Sequence, residues 1–546
     1  MARLSVWVFV LVVQGLRLYA GDPQYVGSKV CFACHSDIYR SFVKTDMGQS
    51  MRLASDLKDH GIPESASILA PDGKRVFEVA HNETGWTQTE AEAGIFRNEQ
   101  ELAYVVGSGA NGLTFLVRRE NYLFQAPLSF YSKAGKWDLS PGFEWADLAF
   151  NRPIAAQCIS CHSGRPQPVV NHAGEFLATP FREIAIGCES CHGPGELHVK
   201  TSGKEPGTIV NPGKLPVRLA ENICINCHQT GDTRVLQPGK KYQDFRPGQW
   251  LIDTVAILKV PSKPDEGKAS DLLEHSSAMQ ASRCFRESAG KLSCTTCHDP
   301  HVQPTASEAT GYFRSKCLHC HSVQSCRARL AVRQASHPPD NCISCHMPKR
   351  SVTEISHSAL TNHRIPVQEG EPVPDIRQTQ VGKLVLVNQP PGQPVAIPDV
   401  TLLRAYGELA GRDPEYQSLY ANLLDRLSKT APNKPVVQEA LGHKALNESN
   451  YADAVIHLTA ALPLDEAIVY TDLGAALLHL GRESEAVDYL KKAAEIEPFN
   501  ATTQKTLILN YINLKRYTEA QRAMMRYVNS FPEDAFMRNI LARVGK

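Results

Sequence analysis

Aromatic residues are scarce in this sequence, at 7% of 546 residues, and neither sign of charge is in excess, with 58 Lys and Arg against 57 Asp and Glu. A chain without a basic surplus has no broad electrostatic footprint for nucleic acid, and few rings leave little to stack on bases. After the first twenty residues no long apolar run occurs, so nothing later reads as a membrane span. Cysteine is missing beyond Cys345, although the chain holds 16. Whatever the thiols do is therefore confined to the N-terminal part. Disorder as the main state is excluded by 42% hydrophobic and only 21% charged residues. The length is enough for roughly two to four domains.

The first twenty residues read as an export signal. Arg3 gives a short basic start, Val6 to Val13 an apolar run too short to span a bilayer, and Ala20 a small residue before a cleavage point. Leu18 departs from the usual small residue two places earlier. The mature chain is expected to be exported, to the periplasm or the cell surface, with no integral span.

Three regions follow. Residues 21–365 hold all the cysteines. Residues 366–400 are rich in proline (Pro366, Pro372, Pro374, Pro390, Pro391, Pro394, Pro398) and read as an extended linker. Residues 401–546 read as helical. Within the first region, 65–150 contains alternating stretches such as Arg75–Val79 and Thr114–Val117, with Gly107, Gly109 and Gly112 between them. It is expected to be a small β-rich insertion, with Tyr122–Tyr131 as a strand interrupted by Pro127. Such a module packs against its neighbours or docks a partner.

Fourteen of the 16 cysteines form seven copies of Cys-x-x-Cys-His. Chance supplies roughly 0.02 copies in a chain of this composition. The seven are Cys31-Cys34-His35, Cys158-Cys161-His162, Cys188-Cys191-His192, Cys224-Cys227-His228, Cys294-Cys297-His298, Cys317-Cys320-His321 and Cys342-Cys345-His346. Two thiols three residues apart on one helical turn reach the two vinyl groups of one porphyrin, and the adjacent His then faces the iron. Four-thiolate zinc sites and thioredoxin-like dithiols leave the recurring His unexplained. The expected cofactor is haem c, seven copies, covalently held. Each carries two propionates, so a neutral polypeptide becomes an acidic holoprotein.

Ten further histidines lie in this region, His172 among them. His198 and His301, which follow motifs closely, lead as distal iron ligands, and His275, His337, His357 and His363 come next. His60, His81 and His319 rank below them. Met47, Met51 and Met279 are thioether alternatives. Bis-His ligation favours electron transfer over the binding of small molecules. The two remaining thiols, Cys284 and Cys326, are candidates for a disulfide.

The C-terminal region repeats with a period of about 34 residues. Tyr470, Leu473, Gly474, Leu477, Ala486, Leu490, Ala493 and Pro498 share offsets with Gln504, Leu507, Ile508, Tyr511, Ala520, Met524, Tyr527 and Pro532. Leu441, Gly442, Ala445, Ala454, Leu458 and Ala461 form an earlier unit. Small residues where two helices cross, with proline after the second, resemble tetratricopeptide repeats. The units are 435–466, 467–500 and 501–534, with a weaker one over 401–432.

Residues 25–365 resemble the multihaem cytochromes of the cytochrome c-554 group. The likeness rests on Tyr25-Val26-Gly27-Ser28 before Cys31, on Cys188 to His198, on Cys294 to His301 and on Cys342 to Lys349. The resemblance implies stacked and perpendicular haem pairs and makes His198 and His301 distal ligands. The sequence departs from the group in having seven motifs, in lacking any Cys-x-x-Cys-Lys, and in placing Met47 where a His often follows the first motif.

The expected fold class is α+β, mostly α and loop: a heptahaem domain with its insertion, then an all-α repeat solenoid. The expected function is electron carriage between redox protein partners, with the repeats as a dock. The alternatives are an oxidoreductase acting on a small nitrogen or sulfur compound at one open haem, and an assembly scaffold of a larger redox complex.

Overall fold

The computed structural model describes residues 23–57, 61–144, 149–261, 275–349, 361–368, 371, 380–392 and 395–544. The export signal at 1–20 and His60 and His357 lie outside them.

The N-terminal part is richer in strands than the sequence suggests. A nine-stranded antiparallel sheet runs from Ser65–Leu69 through Val76–Asn82, Gly85–Glu92, Phe96–Val106, Leu113–Arg119 and Tyr122–Tyr131 to Lys136–Leu139. Met51–Leu53 pairs with Phe96–Val106, and Arg152–Pro153 with Tyr122–Tyr131. The first and last strands of the path approach each other, so the sheet nearly closes into a barrel. Inside lie Phe77, Val79, Trp86, Phe115, Val117, Leu128, Phe130 and Trp137. "Mostly α and loop" is thus corrected for this part, where alternating residues fill a two-sided sheet. The strand Tyr122–Tyr131 also runs through Pro127 without a break. The register with Leu113–Arg119 shifts between Thr114 and Leu116, and a bulge is where a residue without an N–H is tolerated.

The proline-rich stretch is not simply a linker. Its Gln380–Val381 and Leu384–Leu386 join Thr233–Leu236 and Val255–Lys259 in a four-stranded sheet. Leu384 is fully buried. Gly382, at φ 62°, makes the two-residue turn between these short strands. The apolar run Leu384–Val387 outweighs the prolines around it, and Val235, Ala256, Leu258, Leu402 and Leu403 share its core.

The C-terminal part is a stack of helical hairpins. Pro435–Asn447 pairs with Tyr451–Ala461, Ala467–His479 with Glu483–Ile496, and Ala501–Asn513 with Tyr517–Ser530. The weaker unit is also a hairpin, Asp399–Ala410 with Pro414–Thr430, and Ala535–Val544 closes the stack. Ala454, Ala461, Ala486, Ala493 and Ala520 are fully buried at the crossings. One edge of the stack rests on the large sheet. Phe499 packs on Tyr122 and Phe124, and Asn151 donates to the Ser530 carbonyl.

Candidate cofactor-binding region

Each motif begins in a short helical turn or at the end of a helix, which sets its two thiols on one side. Cys31 closes Ser28–Cys31, Cys158 lies in Ala156–Ile159, and Cys224, Cys227 and His228 end Val217–His228. Cys294 and Cys297 span one turn, as do Cys342 to His346.

Buried acids and hydroxyls bring the first motif to the third. Glu189, buried within the third motif, accepts N–H bonds from Val26, Gly27 and Gly195. Glu183 accepts from Ser28 N–H, and the Ser28 hydroxyl accepts from Cys188 N–H. These positioning groups leave no local sequence signal, because Glu189 and Val26 are 163 residues apart. Further along, Arg218 reaches Glu221 and the Gly290 and Leu292 carbonyls, which holds the helix of the fourth motif to the turn before the fifth. Arg234 donates to the Gln229 and Asn226 carbonyls beneath the second and fourth motifs.

The thiols gather across motifs in consequence. Cys31 shares a hydrogen bond with Cys188, which pushes Cys31 up and Cys188 down to about 7. Cys161 and Cys227 share another, with Cys161 lowered to about 7. Cys294 contacts Cys224, which drives Cys294 up. Cys227 also feels Cys191, Cys297 feels Cys320, and Cys317 feels Cys342. All the cysteines are free thiols, Cys284 and Cys326 among them, so the candidate disulfide is not formed. Cys284 sits beside Cys297, Cys317 and Cys320, whereas Cys326 sits beside Cys342.

The histidines pair in a matching way. His35 faces His198 with ring centres 6.2 Å apart and planes 15° apart, and His192 faces His301 at 6.0 Å and 17°. Two imidazoles on opposite sides of one iron, each nitrogen about 2 Å from it, have centres roughly 6 Å apart. A second group holds His228, His275, His298 and His363. His298 and His363 are 6.3 Å apart, His228 and His275 5.2 Å, and His275 and His363 4.7 Å. Burial lowers the pKa of His192, His228, His298 and His363, and together with His363 and His228 it pushes His275 down to about 3. Neutral imidazole is the form that binds metal. The Nδ1 groups of His192, His346 and His363 bond to the carbonyls of Val210, Pro366 and Thr361. Donation through Nδ1–H leaves the Nε2 lone pair for a ligand. His319 does the same toward Ser315, although its sequence position ranked it low.

The remaining candidates are placed differently. His81 stacks on Trp86 in the large sheet. His337 is exposed before the last motif, His321 is exposed, and the His162 carbonyl accepts from the Ser50 hydroxyl. Met51 and Met279 are buried apolar contacts. Among the described residues no three or more His, Cys, Asp or Glu side chains gather as a bare metal ion requires. Paired thiols and paired imidazoles fit haem c, which brings its own four equatorial nitrogens.

The helical hairpins next to this region carry the one assignment that comparison gives. Residues 467–500 match the tetratricopeptide repeat family. Among solved structures, the chain is similar to the APC/C hetero-tetramer Cut9-Hcn1 (19% identity over 27% of this chain and 30% of that one, TM-score 0.24). It is also similar to the Arabidopsis OM64 TPR domain (23% identity, 20% and 93%, TM-score 0.19) and to MamA (18% identity, 28% and 84%, TM-score 0.23). The chain spans less than a third of the Cut9-Hcn1 chain it matches. No curated protein matches the chain. Among the described residues no helix is long and apolar enough to cross a membrane.

Proposed function

We propose that this chain is an exported multihaem c-type cytochrome that carries electrons between redox proteins, with its tetratricopeptide repeats as a protein-docking module. The near-parallel pairs His35–His198 and His192–His301, both close to the separation of two axial ligands, carry the reading. Bound haem supplies one-electron exchange between ferric and ferrous iron.

Each Cys pair would hold one porphyrin through two thioethers, and the following His would bind its iron. His198 with His35, and His301 with His192, would hold the haems of the first and third motifs. His275 and His363, grouped with His228 and His298, would be the candidate second ligands at the fourth and fifth motifs. The thiol neighbours order the motifs as first, third, fourth, fifth, sixth and seventh, with the second joined at the fourth. Glu183 and Glu189 join the first motif to the third, and Arg218 joins the fourth to the turn before the fifth. Paired imidazoles at the first and third motifs would favour electron carriage over chemistry on a small molecule.

The test is the intact mass and pyridine haemochrome of the mature protein, with electron paramagnetic resonance of the oxidised form. Seven haems per chain are expected, with low-spin signals from the paired sites. The substitution His198→Ala is expected to convert one low-spin signal to high-spin and leave the haem count at seven. A colourless protein with the mass of the bare chain overturns the proposal. A wild-type high-spin signal that shifts with nitrite or hydroxylamine would transfer it to the oxidoreductase reading.

A further inference from the structure

The guanidiniums of Arg165, Arg182 and Arg246 converge on Tyr25. Arg165 lies 3.7 Å from the centre of the Tyr25 ring, and Arg246 5.4 Å from it. Arg246 donates to the Tyr25 hydroxyl at 3.2 Å, and Arg182 to the Tyr25 carbonyl at 3.5 Å. Arg165 and Arg246 share the Gln243 carbonyl, at 3.4 and 2.9 Å. Every one of these acceptors is neutral. Among the described residues no carboxylate pairs with any of the three, although a guanidinium carries five donors in a fork that matches a carboxylate. Glu189, the acid that Arg165 feels, already accepts N–H bonds from Val26, Gly27 and Gly195. The Gln243 side-chain nitrogen is a further buried donor without a partner. Burial, Arg246 and Arg182 all lower the pKa of Arg165, against Tyr25 and Glu189.

We infer that Arg165, Arg182 and Arg246 form an anion site for a carboxylate. One arginine suffices to tie neutral carbonyls together, whereas three like charges drawn to one ring repel until an anion joins them. The site lies among three motifs. Arg165 follows His162 by three residues, and Tyr25 precedes the Val26 and Gly27 that Glu189 of the third motif holds. A Cβ at Gly193, beside His192, would lie 4.0 Å from Pro247, the neighbour of Arg246. Two sources share the chemistry: a propionate of a haem bound at one of these motifs, and a small free carboxylate or oxyanion. The first rests on the multihaem reading proposed above; the second does not. From either source, the anion ties together the segment after the second motif, the segment before the first and the loop beside the third.

The experiment compares the full-length protein with Arg182→Gln, with the double substitution Arg165→Gln and Arg246→Gln, and with Arg118→Gln as a control. Arg118 donates to the Ala178 carbonyl at 2.8 Å, on the strand that carries Arg182, but takes no part in the cluster. Each protein is read by intact mass for its haem count, by spectroelectrochemical titration for its midpoint potentials, and by isothermal titration calorimetry with sodium formate. A propionate in the site predicts no formate binding by the wild type. It also predicts one midpoint potential that falls in Arg182→Gln and falls further in the double variant, because nearby cations favour the reduced haem. A free anion predicts formate binding that weakens about tenfold in Arg182→Gln and is lost in the double variant, with potentials unmoved. Arg118→Gln should match the wild type in all three readings. Should the double variant lose haem, Arg182→Gln decides alone, since its side chain is exposed and makes one long contact. Potentials and formate response the same in Arg182→Gln as in the wild type overturn the inference, as does an equal effect of Arg118→Gln. A wild-type chain without haem refutes the multihaem reading instead, and formate binding then decides the site.

Discussion

The Arg119 guanidinium lies 4.5 Å from the centre of the Phe499 ring, so a residue of the large sheet is seated against a turn of the repeat stack. The Phe124 ring centre lies 3.9 Å away, and the guanidinium donates to the Phe150 carbonyl and to Asn151 Oδ1. Burial pushes its pKa down to about 10, with Glu533 opposing, and it stays cationic at neutral pH. Replacing it removes buried cation–π contacts and charged hydrogen bonds together. Arg119→Ala is expected to cost about 3 kcal/mol. It should also raise amide exchange in 497–500 and 530–534 while leaving the middle of the stack protected. Unchanged exchange at those turns would show that the two parts are held elsewhere.

Inside the sheet, Arg75 and Glu90 form an ion pair 2.5 Å long, with side chains 4% and 0% exposed. Asp72 holds the same guanidinium at 2.6 Å. Removing one member leaves a buried charge without its main partner, so Arg75→Ala is expected to lose about 3–5 kcal/mol. Replacing both with residues of similar size, Arg75→Met with Glu90→Leu, should recover most of that loss. Urea unfolding of the three proteins decides it, and a double variant as unstable as the single one would refute the desolvation argument.

What was legible in the sequence and what was not divides along the distance between the residues involved. Cys31, Cys34 and His35 are neighbours in sequence, so the pattern needs no fold to be seen. Gly474 and Ala486 recur at fixed offsets for the same reason. The pairing of His35 with His198 depends on Glu189 catching the backbone of Val26 and Gly27, a contact that no spacing encodes. The sheet was underestimated because its register needs partner strands: Met51–Leu53 and Arg152–Pro153 are too short to read alone. Leu384–Leu386 was concealed by flanking prolines, which mark loops only when no apolar core claims the residues between them.

In the repeats, Gly442 and Gly474 mark where paired helices cross most closely. A Cβ at Gly442 would lie 2.6 Å from Leu458 Cγ and 3.1 Å from its backbone nitrogen; at Gly474 it would lie 2.7 Å from Leu490 Cγ. Alanine improves helix propensity by up to about 1 kcal/mol, but overpacking costs about 1–3. Gly442→Ala is therefore expected to lower stability, and more than Gly474→Ala, since at Gly442 the backbone is also in the way. Thermal melts that rise in either variant would mean the helix pair opens freely.

The repeat stack also carries a pH dependence, set by His443. Its ring bonds to Asp472 at 2.9 Å, and that bond raises its pKa, with Glu439 adding to the effect. Glu439 is itself raised by burial and by Glu466. For both groups the folded pKa exceeds the unfolded one, so each contribution is complete below the unfolded pKa and fades as pH climbs through the folded value. For His443 that loss begins near the ordinary histidine pKa of about 6.5 and continues above it. Its side chain is 53% exposed, so solvent screening limits the effect to a few tenths of a kcal/mol. Melting temperature is expected to fall slightly as pH rises from 6 to 8, and His443→Asn should flatten that slope without changing the value at pH 8. A slope that persists in the variant would assign the dependence to another group.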